Sequence, residues 1–114
     1  MKITLQTIDD KYRVVINEVK KVIRSVIDQP FEVTLYGSVA RGQETSESDM
    51  NLLVLIDGHV DYSLKEQIIT AIYPIELYRD VIISLFIESK FVWETKYATL
   101  SMLFQNIQRE GIRA

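Results

Sequence analysis

The run Met50-Asn51-Leu52-Leu53-Val54-Leu55-Ile56 constrains the fold most, because it holds a single polar residue and stops at Asp57-Gly58. A run this short and this apolar reads as a strand with both faces largely covered, and such strands belong to sheets flanked by helices. Helical patterns lie on either side of it. From Asp10 to about Asp28 the apolar residues Tyr12, Val15, Ile16, Val19, Val22, Ile23, Val26 and Ile27 recur every three or four positions, the spacing of one helix face. Asp9 or Asp10 can cap its start, and Pro30 stops it. The many β-branched residues mean that burial, rather than intrinsic propensity, must hold this helix together.

Phe31 to Tyr36 predicts a strand, broken by Gly37-Ser38 into a turn and a short helical segment near Val39-Ala40-Arg41. A second helix is predicted from about Tyr62 to Ile72, with Leu64, Ile68, Ile69 and Ile72 as its buried side, interrupted by Pro74. Val81 to Glu88 predicts a third strand. Ser89 can cap a segment holding Phe91, Val92 and Trp93, and a last helix from about Leu100 to Arg109 ends at Gly111 as a C-terminal glycine. The order predicts an α/β (α+β) domain, a small mixed sheet with flanking helices. Residues 1–114 suffice for one domain and one substantial core.

Composition removes several classes of function. With 47% hydrophobic and 25% charged residues the chain has the apolar material to fold, and a formal net charge of -3 gives no general positive field for nucleic acid. The absence of cysteine excludes disulfides and thiolate metal sites. The N-terminal stretch lacks the apolar core of a signal peptide, and no run reaches the roughly 20 apolar residues of a membrane span, so a cytoplasmic location without membrane contact is expected.

The chemistry concentrates between the first two strands. Gly37 permits close backbone approach to a ligand, Ser38 adds a hydroxyl at the start of a helical turn where free N–H groups favour phosphate, and Arg41 carries a forked donor for the same anion. Asp49 and Asn51 are two apart on a strand, so both side chains point to one face and can grip one ion. Mg²⁺ favours oxygen ligands of this kind together with nucleotide phosphates. The Gly-Ser turn alone fits an ordinary turn equally well, and the pair of Asp49 and Asn51 alone fits a turn or capping residue and a polar strand edge better.

Together, Gly37-Ser38-Val39-Ala40-Arg41-Gly42 and, after a five-residue gap, Ser48-Asp49-Met50-Asn51-Leu52 resemble the signature of the minimal nucleotidyltransferases of the DNA-polymerase-β-like superfamily, G-S-x-A-R-G then S-D-x-D-L. The ending Ile107-Gln-Arg-Glu-Gly-Ile112 also resembles the closing helix of that family. The resemblance implies a nucleotidyltransferase fold and in-line transfer of a nucleoside monophosphate, in the first instance AMP from ATP, to a protein or small acceptor. It implies phosphate binding by Gly37, Ser38 and Arg41, and catalytic metal binding by Asp49 and the residue in the place of Asn51. Minimal members also resemble the antitoxin half of a pair whose partner is a helical HEPN-type protein.

The sequence departs from the signature at the metal. Asn51 stands where a second aspartate is expected; a unit charge roughly 4 Å from an ion is worth about 4 kcal/mol per unit of ion charge at an effective dielectric near 20. Even discounted several-fold, that loss weakens Mg²⁺ binding by at least about an order of magnitude. A third carboxylate is expected near the middle of the third strand, where Ser84 stands, while Asp80 and Glu88 share its parity but lie at the ends. The expectation is a nucleotidyltransferase with a weakened Mg²⁺ site, or an inactive nucleotide- or partner-binding module of an antitoxin-like pair. His59 reads as a surface loop residue, Trp93, Phe91 and Tyr97 as core before base-stacking groups, and Lys20, Lys21 and Arg24 as a solvated helix face.

Overall fold

A computed structural model describes residues 3–98 and 101–114. Helix α1 spans Asp10–Val26, with the Asp9 carboxylate accepting from the Lys11 N–H at 3.0 Å. Satisfying a free N–H in the first turn is what an N-cap side chain does. Strand β1 is Phe31–Tyr36, β2 is Met50–Ile56 and β3 is Ile83–Ser89. Helix α2 is Tyr62–Arg79, capped by Asp61, whose carboxylate accepts from Leu64 N–H at 2.8 Å. After β3 comes a short α3, Lys90–Val92, which widens into a π turn at Trp93–Tyr97. Helix α4, Met102–Glu110, and a two-residue strand β4, Ile112–Arg113, complete the described chain.

Among the described residues the sheet has four strands in the order β3-β2-β1-β4. β1 runs antiparallel to both β2 and β4, while β2 and β3 are parallel, so the sheet is mixed as expected. One face packs on α1 and α2. Val15, Ile16, Val19 and Ile23 of α1 and Ile68, Ile72 and Ile75 of α2 meet Val33, Leu35, Met50, Leu52, Val54, Ile56 and Ile87 in a buried core. The other face is smaller. Leu53 and Leu55 of β2 pack under Trp93 and Ile107, with Tyr36, Phe86, Tyr97 and Phe104 around them. The apolar run Leu52–Ile56 of β2 thus has a physical reason: it is covered from both sides.

Several expectations are corrected. Pro74 does not end α2, because Ile72 and Ile75 on either side of it are anchored in the core and hold the helix together across the missing N–H. Ile69 is exposed rather than buried, since its neighbour Ile68 takes the core-facing position. α2 ends instead at Asp80, a non-glycine residue with φ 54°, in the left-handed conformation that aspartate tolerates better than most. The segment at Val39–Arg41 is one turn, not a helix. Gly111 is extended, with φ -65°, and is small for another reason: a Cβ there would lie 2.6 Å from the Ile107 carbonyl oxygen and 2.8 Å from Thr34 Cγ2. β4 follows it without any strand-like pattern in the sequence. The proposed start of the last helix at Leu100 lies outside the described residues.

Candidate active site

The loop after β1 closes by three backbone bonds, from Arg41 N–H to Gly37 O (3.1 Å), Gly42 N–H to Val39 O (3.1 Å) and Gln43 N–H to Ser38 O (2.9 Å). The donors of these bonds all lie at the end of the turn. The N–H groups of Ser38, Val39 and Ala40 therefore head it, in the position from which a helical turn offers donors to an anion. Val39 and Ala40 are buried and fix the turn to the core, while Gly37 and Ser38 are half-buried at its lip.

Gly37 has φ +84°, and a Cβ on it would stand 2.5 Å from Asn51 Nδ2. The two halves of the motif are thus in direct contact, the amide of Asn51 lying against the glycine of the turn. This follows from register, since Tyr36, immediately before the turn, pairs with Asn51 across β1 and β2. On the other side of β2, Asn51 pairs with Ser84 of β3. The Ser84 hydroxyl donates to Asp49 Oδ2 at 3.3 Å. Asp49, Asn51, Ser84 and the Gly37-Ser38 turn thereby form one half-buried group at one end of the sheet. Tyr36 sits beside them, its phenol pushed above the ordinary 10.0 by burial.

The three residues weighed for a third carboxylate are separated by this register. Ser84 is in the row of Asn51; Glu88 lies beside Leu55, four residues along β3, and Asp80 is four residues before Ser84, at the end of α2. At about 3.3 Å per strand residue, Glu88 stands ~13 Å from that row. Asp80 lines a separate cavity of about 190 Å³ with Lys11, Tyr12 and Ser48. Among the described residues, no group of three His, Cys, Asp or Glu side chains converges to hold a metal.

The donor set does not fit the multi-carboxylate Mg²⁺ centre that the resemblance implies. Asp49 brings the only full negative charge among Asp49, Asn51 and Ser84; Asn51 brings a neutral amide, and Ser84 a hydroxyl whose proton is already directed at Asp49. A hard dication held by protein alone needs more anionic oxygen than this.

Arg41, expected to bind phosphate, already has two side-chain partners. Its Nη1 bonds Glu110 Oε1 at 3.0 Å and its Nε bonds Gln43 Oε1 at 3.1 Å. The guanidinium ties the turn to the end of α4, a positioning contact that reading the turn alone missed. That partner, Glu110, lies in the closing segment Ile107-Gln-Arg-Glu-Gly-Ile112. Ser48 also has a local task, its hydroxyl accepting from Thr45 N–H at 2.9 Å to close the turn that delivers Asp49. His59 is exposed in a loop, and Trp93 is core, stacked on Tyr97 with ring centroids 5.3 Å apart. Phe91 of the same segment is 75% exposed, outside that core.

The family model of the nucleotidyltransferase domain matches residues 16–109. Among solved structures, the chain is similar to one of a toxin-antitoxin with AMP-PNP, at 18% identity and a TM-score of 0.59 over 85% of this chain and 69% of that one. A mutant of the toxin-antitoxin MntA-HpeT is similar at 17% identity and a TM-score of 0.58, with the same coverage. At such identities the likeness establishes the fold alone. No curated protein sequence matches the chain. With the turn, the paired strands and the family match over most of its length, the chain belongs to the nucleotidyltransferase domain family, as its likeness to the minimal members of the polymerase-β-like superfamily implied.

Proposed function

We propose that this chain is a nucleotide-binding nucleotidyltransferase domain in which monophosphate transfer is strongly reduced, acting as the antitoxin-like half of a protein pair. The observation that carries this reading is the register of β2 and β3, which sets Asn51 beside Ser84 and leaves Asp49 as the one carboxylate of the group. The N–H groups heading the Gly37-Ser38 turn support phosphate binding there. In this reading, the backbone donors at the head of the turn and the Ser38 hydroxyl hold the phosphates of a nucleoside triphosphate, taken as ATP. Asp49 is the remaining group that can accept a proton from an attacking hydroxyl.

Two features favour a protein partner. The similar structures are of toxin-antitoxins, one with AMP-PNP. Helix α2 also exposes Tyr62, Ile69, Tyr73, Leu77 and Tyr78 along its length, an unusual number of large apolar side chains for one helix of a small domain. A helical HEPN-type protein is the partner to test. The second reading, full transfer of AMP to a tyrosine or another hydroxyl of that partner, is favoured by the retention of Asp49.

Incubation with labelled ATP, Mg²⁺ or Mn²⁺ and the partner separates the two. The native chain should transfer little or no label, and Asn51→Asp combined with Ser84→Asp should raise transfer by at least about tenfold. High transfer by the native chain, unchanged in the double variant, would overturn the proposal in favour of the second reading.

A further inference from the structure

We infer that this site takes the triphosphate of a nucleotide without a divalent cation, the amide of Asn51 standing in for the metal. The inference rests on the nucleotide binding proposed above and concerns how that ligand is held.

Phosphates approach a cluster of carboxylates only if a cation lies between them, because the two sets of negative charge repel. Here the repelling set has nearly gone. Between β1 and β3 the row reads Tyr36, Asn51, Ser84, none of them charged at neutral pH. The single carboxylate, Asp49, is engaged by the Ser84 hydroxyl at 3.3 Å. Asn51 does more than remove a charge. An amide nitrogen carries two N–H donors, which a carboxylate lacks, and Asn51 Nδ2 lies against Gly37, within 2.5 Å of the point a Cβ would occupy. That donor therefore lies at the lip of the turn whose leading N–H groups already favour an anion. The row is neutral, with the Asn51 amide as its donor to phosphate oxygens, and a metal would compete with that amide rather than bridge to it.

The test is calorimetric titration of the whole chain with AMP-PNP, once in excess EDTA and once in excess Mg²⁺. The dissociation constant in EDTA should lie within about threefold of that in Mg²⁺, or below it. Asn51→Asp, which keeps the shape of the side chain, should weaken binding in EDTA at least tenfold, with Mg²⁺ restoring it. Native binding that is tenfold or more weaker in EDTA overturns the inference while leaving nucleotide binding intact. Equal affinity of the native chain and Asn51→Asp in EDTA also overturns it, because the amide then plays no part. Absence of binding under both conditions removes the nucleotide-binding proposal itself and the inference with it. The comparison of the two buffers needs no variant, so the test stands even if Asn51→Asp fails to fold.

Discussion

Gly37 cannot carry a side chain, for two separate reasons. Its φ of +84° lies in the left-handed region that L-residues enter at a cost of about 1 kcal/mol, and a Cβ would stand 2.5 Å from Asn51 Nδ2. Gly37→Ala should therefore destabilise the fold by roughly 1–3 kcal/mol, read from a denaturant midpoint, and push Asn51 out of the row. The same glycine was legible in the sequence as a point of close approach, but the atom it approaches was not. That depends on the β1–β2 register, which pairs Tyr36 with Asn51. Arg41 illustrates the opposite case. A basic residue beside a Gly-Ser turn suggests a phosphate ligand, and the acid that occupies it, Glu110, lies 69 positions away in the chain. No local pattern could have revealed that pairing.

Among the elements, β2 was the most legible, because its apolar run needs covering on both faces and α1, α2, Trp93 and Ile107 supply the cover. Helix α1 was nearly as clear, its periodic apolar residues forming the buried stripe. Helix α2 was truncated at Pro74 because the rule that proline ends a helix weighs only the local cost. Here Ile68, Ile72 and Ile75 place both halves on the core, and packing outweighs the lost hydrogen bond. That trade predicts a gain. Pro74 is exposed, so Pro74→Ala restores an N–H within the helix without disturbing the core. Replacing a mid-helix proline recovers about 3 kcal/mol, less up to about 1 kcal/mol for the freer unfolded chain, so a net stabilisation of about 2 kcal/mol is expected. A thermal or denaturant melt of the variant against the native chain checks it; a loss of stability would mean that the ring itself packs usefully. β4 escaped notice because two residues carry no period, and it exists only because β1 offers a free edge beside Gly111.

At the scale of the whole molecule, two tyrosines couple the fold to pH. No helix among the described residues is long and apolar enough to cross a membrane. The buried apolar residues form two layers, one on either side of the sheet. Tyr12 lies in the larger layer and Tyr36 in the smaller, beside the site. Burial pushes both phenols above the ordinary 10.0, and for Tyr12 the carboxylates of Glu44 and Asp9 push in the same direction. A raised phenol pKa means that the folded chain keeps a proton the unfolded chain gives up. Stability from these two residues is therefore complete below about pH 10, the unfolded value, and is lost as the pH rises through the folded values. The native chain should show a denaturant midpoint that falls steadily above pH 10. Phenylalanine cannot ionise, so Tyr12→Phe with Tyr36→Phe should flatten that fall, while other alkaline losses, such as lysine deprotonation, remain in both proteins. Glu44→Gln should lower the Tyr12 phenol alone, which an ultraviolet titration of phenolate absorbance resolves. If the double variant loses stability above pH 10 as steeply as the native chain, these two phenols do not set the alkaline limit of this fold.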